Sequence, residues 1–402
     1  MRSADLLVVG GGPAGCVAAW EAARQAPGAS VALLERDPVI GRPVRCAEGV
    51  GAAGMREFLE PEGAPWVCRK ITRVVIVAPD DTEVAVHGEE VGYVLDRTVL
   101  DPTLAGLAAR AGADVLTATE ATGLRRVGDG WEVATSSDRG EETWRARIVV
   151  GADGVESMVG RWAGLDTTVA AADMQSAAQY LLSGISFDPD AIYLQYSKRW
   201  APGGYAWVFP KGDGLANVGL TITALRGDGR TALQYLDAWV AHRFPRGRPV
   251  RFTVGAVPTA PTVARTYSDG VLLAGDAAHM INPLSGAGIV NAMKAGRLAG
   301  RHAARALREG DTSAANLEPY HEEWMALQGR DHVWHKRIND AIQGMSDESL
   351  DRLARTVDSI PAHKRTLGRV VAEALVRQPS LLGVAARLFA APWPRTRAAA
   401  QE

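Results

Sequence analysis

Gly10, Gly12 and Gly15 stand in a G-x-G-x-x-G frame within "GGGPAG", and Glu35 follows twenty residues after the last of them. Such a pattern suits chemistry on a dinucleotide. Gly10 would permit a tight turn, Gly12 would let the backbone approach a pyrophosphate, and Gly15 would let helix and strand pack closely. A carboxylate at Glu35 would accept hydrogen bonds from a ribose diol, and an acid there argues against a 2′-phosphate. The competing reading is a glycine-rich turn with a purely structural task. Two more acids, Asp153 in "RIVVGADG" and Asp276 in "GVLLAGDAAH", end short apolar runs. Each reads either as a cofactor contact or as a helix N-cap. Cys46 is either a proton donor or a small buried hydrophobe. His332 and His335 are spaced i, i+3, but two histidines alone make a poor metal site, and no metal is expected.

The elements that must position these residues follow from pattern. Asp5 to Val9 reads as a short buried strand, the glycine turn comes next, and an apolar helix runs from about Ala14 to Gln25. "SVALLE" reads as a second strand that delivers Glu35 to its end. The helix N-terminus offers free N–H groups and the positive end of its dipole to phosphate. Ligands in open α/β sheets bind beyond the carboxyl ends of such strands, which places Asp153 and Asp276 at the same crevice. Pro283, Gly286 and Gly288 then precede a helix of small residues, whose start would aim backbone donors at an anion or a polarised carbonyl. Residues 71–96 and 170–255 change character to alternating β patterns without a glycine fingerprint. Tyr205, Trp207 and Phe209 alternate there and so share one face. They read as sheet core or as the wall of an apolar cavity. Residues 316–402 read as helical.

Composition narrows the class. The 402 residues are 47% hydrophobic and 22% charged with a formal net charge of −2, ordinary for a globular protein and without the basic footprint of a nucleic-acid binder. Cys16, Cys46 and Cys68 have neither CxxC spacing nor a companion histidine cluster. A soluble, cytoplasmic protein is expected, with peripheral membrane contact through the apolar and basic segment "AARLFAAPWPRTR" as one further reading.

The order "GGGPAG", "GADG", "GDAAH…NPLSGAGI" resembles FAD enzymes of the hydroxylase and geranylgeranyl reductase group. Four segments narrow this to the geranylgeranyl reductase family: "GRPVRCAEGVG", "YVLDRTVLDPTLAGLAARAGADV", "APGGYAWVFPKGDGLANVGL" and "GAVPTAP". The resemblance covers about residues 4–300 and departs at Ser285 and Ala287, in a turn commonly written PLTGGG. It implies FAD as cofactor, with the Asp276 carboxylate on the ribityl chain and the turn at Pro283, Gly286 and Gly288 beside the isoalloxazine. It also implies that Ala14, Glu35, Cys46, Ala47, Gly49, Arg97, Ala121, Gly288 and Ile289 contact FAD. Without the resemblance, Arg97 behind the N-cap Asp96 reads as projecting toward the crevice, with a solvated helix charge as the lesser reading.

The implied fold is α/β. A Rossmann-like FAD-binding domain (1–70, 97–169, 256–315) carries an inserted, mainly antiparallel substrate domain (71–96, 170–255) and a helical C-terminal lobe (316–402) that closes the cavity. The implied activity is reduction of isoprenoid carbon–carbon double bonds by hydride from reduced flavin. Electrons would come from NAD(P)H or a ferredoxin-like electron-transfer protein. Tyr205, Trp207 and Phe209 would wall the substrate, and Cys46 or water held near the flavin would deliver a proton. A flavin monooxygenase acting on an apolar natural product shares every FAD motif, and a non-catalytic flavin- or lipid-binding protein is the reading from another class.

Overall fold

In the computed structural model, residues 1–361 are described, with the side chains of 86–90 left aside. Two large sheets organise them. The first is mostly parallel, in the order Tyr267–Ser268, Val271–Leu273, Gly140–Gly151, Arg2–Val9, Val31–Leu34, Asp114–Leu116. Its middle strands are buried on both faces, which is why "LLVV", "VALL" and "IVV" read as unbroken apolar runs and not as alternation. Strand Gly130–Ser137 pairs antiparallel with Gly140–Gly151, and Thr119–Val127 pairs antiparallel with Gly130–Ser137 in turn.

The glycine turn leads into helix Pro13–Gln25, which packs along helix Ile289–Glu309. Small residues allow the contact: a Cβ added at Gly296 would lie 2.2 Å from the Ala14 carbonyl oxygen, and one at Gly300 2.4 Å from that of Ala18. The pairing is parallel, 296 beside 14 and 300 beside 18. Both helix N-termini therefore open on the same side of the sheet.

The second sheet runs Arg248–Pro258, Met174–Ser183, Leu215–Ile222, Ala206–Gly212, Ala191–Gln195, Val67–Val77, Glu83–Leu95, Gly49–Gly51. All its pairings are antiparallel except Ala191–Gln195 with Val67–Val77. Helix Ala232–Arg243 covers one face with Tyr235, Leu236 and Trp239. The boundary expected at 70/71 falls inside strand Val67–Val77, and Gly49–Gly51 also joins this sheet. The connection from Glu35 to Val77 thus ties the two sheets together instead of ending one domain.

Helices Ala314–Trp324, Arg330–Gly344 and Asp347–Asp358 follow, with a π-helical turn at Met325–Gly329 joining the first two. The segment "AARLFAAPWPRTR" lies outside the described residues. No helix among the described residues is long and apolar enough to cross a membrane.

Candidate functional site

The glycine turn is shaped by close contacts. Gly10 has φ +106° and a Cβ there would sit 2.2 Å from the Ala152 carbonyl oxygen; one on Gly15 would sit 1.9 Å from the Gly10 carbonyl oxygen. Gly12, by contrast, faces open space and caps its helix with no side chain. The free N–H groups at that helix start point into a cleft of about 320 Å3 lined by Gly12, Pro13 and Ala14. Helix Ile289–Glu309 begins at Gly288, again without a side-chain cap, and Gly288 and Ile289 line the same cleft.

Asp276 also lines it, on the turn after Val271–Leu273. Its carboxylate accepts no hydrogen bond among the described residues, so the N-cap reading does not describe it. Burial raises its pKa, and the Arg97 guanidinium opposes that shift. A carboxylate so placed suits hydroxyl donors such as those of a ribityl chain. Asp153 differs: it accepts the Val159 backbone N–H at 2.9 Å and lies off the cleft, so it holds the start of helix Met158–Trp162.

Glu35 sits in a smaller recess with Gly12, Arg97 and Asp101. One carboxylate oxygen accepts the Gly11 N–H at 2.6 Å and the other the Asp37 N–H at 2.8 Å. Its position is fixed while lone pairs remain for a diol. The uncapped helix starts, the open space at Gly12, the unpartnered Asp276 and the fixed Glu35 together fit the pyrophosphate, ribityl and adenosine parts of FAD.

Arg97 is not a solvated charge. It lines both the cleft and the recess and forms a two-pronged pair with Asp101, at 3.1 and 2.5 Å. Burial alone would lower its pKa; the Asp101 carboxylate, helped by the neighbouring Cys46 sulfur once ionised, outweighs burial, and the net shift is upward. Burial pushes the Cys46 thiol up against the pull of Arg97, and its sulfur accepts the Glu48 N–H at 3.2 Å. Cys46 and Ala47 line the cleft.

The opposite wall comes from the second sheet. Tyr205 and Trp207 line the cleft, and the Tyr205 hydroxyl donates to the Ser285 carbonyl at 2.6 Å, tying the sheet to the turn of Pro283, Gly286 and Gly288. Trp207 donates its indole N–H to Gln179 Oε1 at 2.9 Å, and Gln179 Nε2 donates to the Cys46 carbonyl at 3.1 Å. Phe209 shares their face but not their place. It is buried with Ile71 and Val94 beneath Gly49, where a Cβ would lie 2.6 Å from its ring. Phe209 is thus sheet core, and Gly49 is the residue that accommodates it. Ala121 lies on strand Thr119–Val127, off both cleft and recess.

Several site residues were not singled out in the sequence. Glu48 is buried, with its carboxylate accepting from Lys211 Nζ at 2.7 Å, Asn217 Nδ2 at 2.9 Å and the Arg97 N–H at 2.8 Å. Glu48 and Lys211 stand inside the segments "PVRCAEG" and "YAWVFPKG", so the motifs contained the pair but not its pairing. Gln175 and Gln179 are buried polar residues four apart on strand Met174–Ser183; polar side chains at inward positions of an apolar strand were the available signal. Asn339, from helix Arg330–Gly344, also reaches the cleft. His332 is buried beside Asn291, at 3.3 Å, and burial followed by the neighbouring His335 lowers its pKa to about 4.

Residues 173–257 match the geranylgeranyl reductase catalytic domain, residues 5–199 an FAD-dependent oxidoreductase model, and residues 234–329 an FAD-binding domain. The chain is 41% identical over 385 residues to a digeranylgeranylglycerophospholipid reductase of Methanocella arvoryzae, covering 94% of this chain and 97% of the other. It is 38% identical to digeranylgeranylglycerophospholipid reductase 1 of Methanococcoides burtonii, covering 90% of each. Its structure is similar to a geranylgeranyl bacteriochlorophyll reductase-like protein of Thermoplasma acidophilum, with TM-score 0.88, 31% identity, and 96% of this chain and 100% of that one covered.

Proposed function

The chain belongs to the digeranylgeranylglycerophospholipid reductase family of FAD-dependent oxidoreductases, and from that premise we propose how its cleft reduces the double bonds of a prenyl chain on a glycerophospholipid. The observation that carries the reading is the facing of two walls across one cleft. Helix starts, Asp276 and Arg97 form a polar side suited to FAD, and Tyr205 and Trp207 form an apolar side. Bound FAD in its reduced form supplies the hydride for one carbon of the alkene.

The chain's own residues orient the partners and manage the proton. Tyr205 and Trp207 bury a hydrocarbon that offers almost no polar handle, at about 0.8 kcal/mol per buried CH2. Gln179 bonds both the Trp207 indole and the Cys46 carbonyl, so it links the apolar wall to the backbone that carries the thiol. Cys46 Sγ keeps its proton because burial raises its pKa. An unactivated alkene accepts hydride poorly, so the proton must arrive with it or ahead of it, and Cys46, a protonated thiol lining the cleft, is placed to donate it. Arg97, kept charged by Asp101, then stabilises the thiolate left behind.

NAD(P)H or a ferredoxin-like protein reduces the flavin, and a peripheral membrane location gives access to the lipid. Mass spectrometry of prenyl glycerophospholipids incubated anaerobically with chemically reduced enzyme tests the reaction type. Mass gains in steps of two hydrogens are expected. An unreduced panel, with gain of one oxygen when air is admitted, would instead mark a monooxygenase.

A further inference from the structure

Strand Arg248–Pro258 ends the second sheet and, among the described residues, pairs along one side with Met174–Ser183 alone. Val250, Phe252 and Val254 on it stay 60%, 45% and 55% exposed. Exposed arginines lie along the same edge, Arg248 and Arg251 on the strand and Arg42 and Arg45 beside its cleft-side face, while Phe252 and Val254, opposite Tyr180 and Ala178, point to the other face. None of these arginines makes an ion pair among the described residues. The nearby acids are engaged: Asp96 accepts from Thr98 at 2.6 and 2.9 Å, although it also feels Arg251, and Asp237 accepts the Tyr180 hydroxyl at 2.8 Å.

The strand borders the cleft. Val254, Gly255 and Arg45 line its rim, and a Cβ added at Gly255 would lie 3.8 Å from that of Arg45. Arg42, Arg251 and Phe252 share an adjoining groove. Arginines on an edge strand deter pairing with another chain, but that role does not account for the exposed apolar side chains carried by the same strand. Apolar side chains at the headgroup boundary with cations facing lipid phosphates are what interfacial binding requires.

We propose that strand Arg248–Pro258, with Arg42 and Arg45, docks on an anionic phospholipid bilayer and turns the cleft mouth toward the hydrocarbon. The inference rests on the lipid reductase reading and deepens it: the prenyl chain passes from bilayer to cleft without crossing water. The arginines neutralise lipid phosphates, while Val250 and Phe252 enter the acyl boundary.

The test uses the full-length, FAD-loaded protein sedimented with vesicles of phosphatidylcholine alone or mixed with phosphatidylglycerol. Binding should favour the mixed vesicles and weaken with salt. The double variants Val250→Asp with Phe252→Asp, and Arg248→Glu with Arg251→Glu, should each lower partition about tenfold or more. Flavin content and reduction of detergent-dispersed prenyl lipid should stay at the parent level. Unchanged partition of both variants, or equal binding to neutral vesicles, overturns the proposal. So does an arginine variant that keeps vesicle binding but no longer takes electrons from an acidic iron–sulfur carrier, since the surface would then serve a protein. Partition is measured without turnover, so failure of alkene reduction is scored separately.

Discussion

Cys46 concentrates the chemistry at the level of single residues. Its thiol is buried against Arg97, and burial keeps the proton on sulfur beyond the ordinary thiol range. Replacing it with alanine should leave FAD bound and slow alkene reduction by about 100-fold or more, the usual scale of a lost general acid; single-turnover reoxidation of reduced flavin by substrate reads this directly. Because the donor form is the thiol, the parent rate should hold through neutral pH. It should fall only once pH passes the raised pKa, above the ordinary value of about 8.5. An alanine variant with full turnover would remove the donor role. Glu35 gives a second prediction: its oxygens are fixed by the Gly11 and Asp37 N–H groups, so Glu35→Ala should weaken FAD retention, measured by equilibrium dialysis, without altering the flavin's reactivity once saturated.

Elements are joined by one buried ion pair. Glu48 on the connecting loop meets Lys211 at the end of strand Ala206–Gly212 and Asn217 on the next strand, and Lys211 also donates to the Leu95 carbonyl. With Glu48 and Lys211 at 1% and 9% side-chain exposure, either charge left alone would be stranded away from water. Lys211→Met should therefore destabilise the protein by about 3–5 kcal/mol, whereas the double variant with Glu48→Gln should recover much of the loss. Urea unfolding of both variants separates these outcomes; additive losses would mean that the pair is not coupled. Because the same loop carries Cys46 and Ala47, the single variant should also disturb the flavin absorbance.

On the scale of the whole molecule, the cleft exists because the two sheets meet. The parallel sheet brings two uncapped helix starts side by side, and the second sheet lowers Tyr205 and Trp207 over them. Trp207→Ala removes both the wall and the hold on Gln179. It should cost about 2–4 kcal/mol in kcat/KM for a long prenyl chain, and less for a truncated one that never reaches the ring. Steady-state kinetics across a chain-length series checks this; a uniform loss would place the ring outside the substrate path.

Local spacing carried much of this protein in the sequence. The fingerprint glycines, Asp276 and the small-residue helix after Gly288 were legible because each task is set within a few residues of one turn, and Glu35 because it ends the strand that follows the first helix. The alternation of Tyr205, Trp207 and Phe209 correctly put all three on one face. It could not tell cavity wall from core, because that depends on what lies opposite: open cleft beside Tyr205 and Trp207, but Gly49 against Phe209. Arg97 likewise looked like a surface charge or a cofactor ligand until Asp101 and Cys46 were seen to enclose it. Glu48 and Lys211 lie 163 positions apart, and no periodicity links such distant residues. Only folding brings two buried charges together, because neither can leave water without the other.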